Sequence, residues 1–230
     1  MALITVSSLR GAPGATAAAA ALASVFPGEA VLVEADPDGG VLAARWGLAT
    51  RPGLTDMAAK SRRGLTAGDM RELGQAIGPV RVVVAPPGAD AATAAVRTLA
   101  PVLAEAGRTW PEGDVIADCG RLRPDSAAAP VVAAADVALV VLRPVLEDVA
   151  AAAAASLAPN TRLLLVGDRP HRPAEVADAL GVDVLGVLAD DSRGAGSPLR
   201  PAGAYHRSVR EAVSALQTLL AVRPLAEMAV

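Results

Sequence analysis

The stretch Ser8-Leu9-Arg10-Gly11-Ala12-Pro13-Gly14-Ala15-Thr16-Ala17 follows a strand-like run, Leu3–Val6, and opens an Ala-rich segment of helical character, Thr16–Val25. Small residues at such a turn let backbone N–H groups converge on a phosphate, and the positive end of the following helix dipole favours the negative charge. A complete phosphate loop adds a lysine just before the Ser/Thr, to bridge the outer phosphates, and sets the Ser/Thr hydroxyl on Mg²⁺. Here Ala15 stands in the lysine place and Thr16 is kept. Lys60, the only lysine of the chain, lies in a different segment. A tight glycine turn between strand and helix would account for the loop by itself, so its meaning depends on what stands at the ends of the other strands.

Acids stand there. The run Val33-Glu34-Ala35-Asp36-Pro37-Asp38-Gly39-Gly40 closes a second apolar segment. Alternation of side chains sends Glu34 and Asp36 to the same side. A solvated turn capped by Asp36 is the competing reading of the pair, and the weaker one. A further apolar run, Asp114-Val-Ile-Ala-Asp118-Cys119-Gly120, places Asp118 at its carboxyl end. An acid there reaches Mg²⁺ through water and hydrogen-bonds the loop Ser/Thr. Cys119 reads as a small core residue, because no His or Asn/Asp pattern supports a nucleophile. His171 and His206 read as surface residues.

Positioning these groups requires an α/β frame. Apolar runs on consecutive positions predict strands at Leu3–Val6, Ala30–Ala35, Arg81–Ala85, Val115–Asp118, Val137–Leu142, Leu163–Val166 and Val184–Leu188, buried on both faces of a parallel sheet. Helices are expected at Thr16–Val25, Thr66–Ile77, Asp90–Glu105, Glu147–Leu157, Pro173–Leu180 and Tyr205–Ala221, with Asp90 as an N-cap and Pro173 in a first turn. The alternation implies a doubly wound, mostly parallel sheet with helices on both faces, whose ligands bind at the carboxyl ends of the strands. Residues 1–230 read as one domain. Thr50–Gly68 reads as irregular, and residues 190–204 as a flexible loop before the C-terminal helix.

Of the 230 residues, 53% are hydrophobic and only 2% aromatic, so the core is built from Ala, Val and Leu. A net charge of −3 supplies no basic field for nucleic acid or an anionic membrane. One cysteine excludes a disulfide framework. Met1-Ala-Leu-Ile-Thr-Val runs straight into a strand without a basic leader, and no apolar run has the length of a membrane span. These features point to a cytoplasmic protein. In the last predicted helix Val209, Val213, Leu216 and Leu220 recur at helical spacing, which fits packing on the sheet better than membrane association.

In order and content these motifs resemble the MinD/ParA group of P-loop NTPases. The loop is similar to their deviant Walker A motif, Lys-Gly-Gly-x-Gly-Lys-Thr-Thr/Ser. Arg10 takes the signature-lysine place and Gly11, Gly14 and Thr16 match, while Ala12, Pro13, Ala15 and Ala17 depart from or vary within the pattern. Glu34 and Asp36 resemble the group's Asp-x-Asp-Pro element, followed by Leu42, Trp46, Gly47 and Leu48. Asp118 resembles its Walker B acid. Asp168, after Leu163–Val166, stands where relatives carry an adenine-holding Asn. Gly181-Val-Asp-Val-Leu-Gly-Val-Leu-Ala-Asp190-Asp191 resembles the final strand, so the resemblance runs from about residue 3 to about residue 190.

What the resemblance implies is a nucleotide site. Gly11 to Ala17 and Asp168 would hold ATP, Thr16, Asp36 and Asp118 would hold Mg²⁺, and Glu34, Asp36 and Arg10 would act in catalysis. Losing the lysine charge favours weak binding with weak or no hydrolysis, a pseudo-ATPase serving as a localisation or assembly factor. Two alternatives stay open: an active ATPase switch for division, partitioning or pilus and secretion positioning, with Arg10 in place of the lysine, or a nucleotide-free scaffold. A homodimer and a division or secretion partner are implied possibilities. The Asp118-Cys-Gly-Arg-Leu122 and Gly167-Asp-Arg-Pro-His171 elements look most like actinobacterial MinD-like proteins related to the CpaE/TadZ localisation factors.

Overall fold

The computed structural model describes residues 2–11, 14–28, 30–109, 113–196 and 203–222. Eight strands form one sheet: β1 (Leu3–Ser8), β2 (Val31–Glu34), β3 (Gln75–Ile77), β4 (Val80–Val83), β5 (Val115–Arg121), β6 (Val137–Leu142), β7 (Thr161–Val166) and β8 (Val184–Leu188). Their order is β3-β4-β2-β5-β1-β6-β7-β8. All neighbours are parallel except β3, which pairs antiparallel with β4 at the edge. β1 lies centrally; the chain runs from it to β2, β3 and β4 on one side, returns through β5, and then crosses to β6, β7 and β8 on the other. That reversal opens a crevice at the carboxyl ends of β1, β5 and β6, the place where doubly wound sheets bind ligands.

Alternating strand residues feed opposite faces. On one, Ile4, Val6, Leu32, Ile116, Leu139 and Leu164 pack under α1 (Ala15–Val25), α2 (Leu42–Trp46) and α10 (Gly203–Ala221). On the other, Leu3, Val33, Val83 and Ala117 meet α3 (Leu54–Ser61), α4 (Ala67–Leu73), α5 (Ala89–Thr109) and α6 (Ala129–Ala134). Val140, Leu142, Leu163 and Leu165 continue that face under α7 (Leu146–Ala154) and α8 (Pro173–Leu180). Ala18, Ala19, Ala20 and Ala21 of α1 are buried. With no bulky side chains between, α1 packs on β1 and β5 from one side and α10 from the other. Alanine also has the best helix propensity, so one residue type both forms α1 and lets it approach the sheet.

All seven expected strands are present. The expected helix Thr66–Ile77 is not one element: it ends at Leu73, and Gln75–Ile77 turns back as β3. Gly74 breaks it, with its carbonyl taken by the Arg81 guanidinium across the hairpin at 3.0 Å. Thr50–Gly68, expected as irregular, contains α3, whose Leu54 and Met57 are buried against α5. Asp90 is not an N-cap, since α5 begins at Ala89 and places Asp90 in the first turn. Pro173 does open α8. The loop expected at residues 190–204 contains a short helix, α9 (Ser192–Ala195), capped by Asp191 at 3.0 Å to the Arg193 and Gly194 amides. Residues 197–202 of that segment lie outside the described residues.

The C-terminal helix buries Val209, Val213 and Leu216 in the core, with Leu220 packed against it. His206, expected at the surface, is buried beside Tyr205, with ring centroids 5.9 Å apart. It lies on the inward stripe of α10 one turn before Val209. Among the described residues no helix is long and apolar enough to cross a membrane.

Candidate functional site

β1 delivers the chain into the crevice at Ser8, where Leu9 meets Arg121 from the end of β5 and Arg10 meets Asp148 after β6. Gly11 and Gly14 adopt the left-handed conformation, at φ 77° and 92°. At Gly14 this conformation starts α1, and the Gly14 carbonyl accepts the Ala18 amide at 2.9 Å. No side chain caps the helix, so its first amides carry the dipole's positive end into the loop. Ala12 and Pro13 lie outside the described residues. Ala15, in the lysine place, is only 5% exposed and belongs to the core under α1. Thr16 and Ala17 are half-buried.

Asp118 ends the apolar part of β5, fully buried. Burial pushes its carboxyl up to about 7, with the charges of Asp36 and Glu34 adding to the effect, while the Thr16 hydroxyl and the Gly120 amide favour the ionised form. Oδ1 accepts the Gly120 amide at 3.1 Å. Oδ2 is buried with no hydrogen-bond partner among the described residues. A carboxylate oxygen left so, next to a hydroxyl at a helix N-terminus, fits a water or hydrated cation. No group of three His, Cys, Asp or Glu forms a metal site among the described residues. A magnesium ion here would therefore depend on Thr16, Asp118, Asp36 and the phosphates it accompanies.

The two acids expected from the β2 end divide. Asp36 is half-buried in the crevice; burial raises its pKa, with Arg123 opposing. Its Oδ1 accepts the Asp38 amide at 2.8 Å. Glu34 is fully buried and committed elsewhere. Its Oε1 accepts the Val41 and Leu42 amides at 2.7 and 2.9 Å, and its Oε2 the Ala85 amide at 2.8 Å. Burial raises its pKa despite these three bonds. Glu34 thus ties β2 to the start of α2 and the end of β4: three amides take three of the roughly four acceptor positions of its carboxylate, an anchoring use that stands beside the catalytic role expected for it.

Arginines ring the crevice. Arg10 is exposed, with Nε 3.5 Å from Asp148 in the first turn of α7, on the β6 side of the loop. Arg123 holds Asp38 through both oxygens at 2.9 and 2.7 Å. Arg143 holds Asp190 likewise at 2.7 and 3.0 Å. Arg121, at the end of β5, donates Nε–H to the Leu9 carbonyl at 3.1 Å. Lys60 is fixed far along the chain on α3, 2.6 Å from Asp69 of α4, and does not replace the missing lysine. Asp168 is exposed at the end of β7, two strands from β1. Cys119 is buried in the core and its thiol is pushed up by burial, which leaves it inert.

Gly120 makes the β5 end possible. Its φ is +58°, and a Cβ there would lie 2.1 Å from the Asp36 carboxyl carbon. Only glycine lets Asp36 close over β5.

The sheet order, the glycine loop after the central strand and the acids at neighbouring strand ends define the fold of MinD/ParA-type P-loop NTPases. No protein-family model and no curated protein matches the chain. Solved structures do. A ParA family ATPase from Chlorobium tepidum TLS matches with a TM-score of 0.75 at 16% identity, over 93% of this chain and 98% of its own. The cell division ATPase MinD of Pyrococcus furiosus matches at 0.71 and 19% identity, over 95% and 99%. The septum site-determining protein MinD of Pyrococcus horikoshii OT3, in complex with Mg-ADP, matches at 0.72 and 16%, over 97% and 99%. Likeness at these identities establishes the fold.

Proposed function

We propose that the chain is a nucleotide-binding protein of MinD/ParA type that holds ATP or ADP with Mg²⁺ and hydrolyses slowly or not at all. The observation that supports this most is the pairing of a retained cation position with a lost charge. Asp118 Oδ2 is buried and unpartnered beside Thr16, while the lysine place is a buried alanine. The Mg-ADP carried by the P. horikoshii neighbour is the ligand class proposed here.

In this reading the Gly11 and Gly14 backbone and the first amides of α1 hold the phosphates. The Thr16 hydroxyl and Asp118 hold the magnesium ion's water shell, and Asp36 orients water at its edge. The ion, when bound, neutralises phosphate charge. Phosphoryl transfer is catalysed mainly by positioning and electrostatics. Removing even one oxyanion-hole donor costs about 3–4 kcal/mol of transition-state stabilisation, and a missing lysine charge costs at least as much. Binding survives that loss better than turnover does.

A protein that binds nucleotide without rapid turnover serves as a localisation or assembly factor, with a second copy and a division, partitioning or pilus and secretion protein as its partners. The resemblance of the Asp118 to Leu122 strand end to CpaE/TadZ-related proteins supports the last of these. The test is ATP hydrolysis by purified protein and by Thr16→Ala. The expected result is phosphate release near background in both. Turnover at the rate of ordinary MinD or ParA proteins, abolished by Thr16→Ala, would overturn it.

A further inference from the structure

We propose that Arg121, arriving from β5, supplies the phosphate-facing positive charge that Ala15 no longer provides. This inference rests on the nucleotide-binding reading above and gives a role in it to a residue outside the site residues expected from the sequence. It begins with an irregularity in the sheet. Between β1 and β5 the pairing runs Val6 with Asp118 and then Ser8 with Arg121, so β5 contains one extra residue at Cys119–Gly120. In a regular strand, residues three apart point to opposite faces; an inserted residue reverses the alternation and re-aims the side chain that follows. Arg121 therefore leaves β5 on the same side as Asp118, toward the loop.

Its contacts place it there. Nε donates to the Leu9 carbonyl at 3.1 Å, and a Cβ at Gly11 would stand 3.7 Å from Arg121 Cδ. The side chain lies along the loop between its first and third residues. Arg10, Arg123 and Arg143 are each drawn to a carboxylate, Asp148, Asp38 and Asp190 respectively. Arg121 has no carboxylate partner among the described residues, and its single bond to a neutral carbonyl leaves the terminal nitrogens of the fork unused. Residue 121 is exposed, so the charge is held without burial cost. A guanidinium fork with terminal N–H groups free matches phosphate oxygens better than a point charge does. Asp118 lies three residues earlier on the same strand, with its unpartnered Oδ2 beside Thr16. One strand end thus presents the acid for the cation and the cation for the phosphate.

The experiment is calorimetric titration of the full chain with Mg-ADP and, separately, with magnesium tripolyphosphate, which lacks a nucleoside. The variants are Arg121→Ala, Arg121→Gln, Arg121→Lys and, as a control at the same sheet edge, Arg143→Gln. Glutamine places an N–H donor at the chain position of the arginine Nε, so it preserves a donor for Leu9 and removes only the charge. Loss of one charge-assisted contact corresponds to about ten- to hundredfold in affinity. Arg121→Ala and Arg121→Gln are expected to weaken both ligands by that factor. Arg121→Lys should retain most of the affinity, and Arg143→Gln should stay within about twofold of wild type, as a screened surface charge does. Thermal unfolding checks that each variant is folded, and the Gln and Lys pair decides the matter should alanine disturb the loop. Glutamine binding as tightly as wild type would overturn the inference, since a backbone tether would then suffice. So would equal losses in the Lys and Gln variants. Wild type that binds neither ligand would instead overturn the nucleotide-binding reading on which this one stands.

Discussion

Replacing Asp118 with asparagine should make the protein more stable at neutral pH relative to acid pH. The carboxyl is fully buried and pushed from the ordinary 3.8 to about 7, chiefly by desolvation. Between those values the folded chain keeps a proton that the unfolded chain has released. Stability then falls as pH rises through the window, at up to about 1.4 kcal/mol per pH unit, and levels off above about pH 7. Summed over the window, the Asp118 carboxyl removes on the order of 4 kcal/mol. That is a large share of the roughly 5–15 kcal/mol that holds a typical domain.

Glu34 and Asp36 are also raised by burial and act in the same direction. The groups held low, Asp69 at about 2 together with Asp56 and Asp190, lose their stabilisation only as pH falls below the ordinary carboxylate range, and so leave the window to the buried acids. The assay is urea unfolding of wild type and Asp118→Asn at half-unit steps from pH 4.5 to 8, with m-values compared. Any constant effect of the amide cancels in the pH dependence. The gap in unfolding free energy should widen in favour of asparagine by roughly 3–4 kcal/mol from acid to alkaline pH. Parallel curves would refute the idea that folding forces this carboxyl into a dry site.

Three further outcomes follow from neighbouring contacts. Gly120→Ala should cost at least about 2 kcal/mol in denaturant unfolding, because it combines a left-handed backbone with a collision against Asp36; a loss under about 0.5 kcal/mol would contradict the close approach. Glu34→Gln sets an NH₂ group against at least one of the three amides the carboxylate accepts, for about 1–3 kcal/mol. An unfolding curve unchanged by Glu34→Gln would show that this carboxylate does not anchor β2. Lys60→Ala should leave Mg-ADP affinity unchanged by titration, since the ammonium, carried on α3, is engaged by Asp69 and Glu72 of α4; a marked drop would place the chain's one lysine in the site after all.

Much of the frame is legible in the residues. Runs such as Val137–Leu142 are apolar at every position, and only a strand covered on both faces uses such a pattern. The phosphate loop and the acids Asp36 and Asp118 stand at consecutive strand ends, so reading the strands correctly brings them together. What escaped reading depends on partners distant in sequence. Glu34 reads from its strand as a site acid, and its anchoring bonds to the amides of Val41, Leu42 and Ala85 come from α2 and the end of β4, which its own strand does not announce. Gln75–Ile77 prolongs a helical pattern and becomes β3 because β4 offers an edge to pair with. Arg121 follows a glycine after an acidic strand end, an unremarkable neighbour until the extra residue in β5 turns it onto Leu9. His206 was one polar residue on an otherwise apolar stripe, and the stripe predicted its burial better than its type did.

The proposed function requires that the fold keep a phosphate and magnesium site after losing its lysine. Its most direct test is titration of the purified chain with ATP at neutral pH, with and without Mg²⁺. Saturable binding that needs Mg²⁺ and disappears in Thr16→Ala is the expected result. Absence of any binding at millimolar ATP, in the presence of Mg²⁺, would contradict it and leave a scaffold that has kept only the shape of a nucleotide switch.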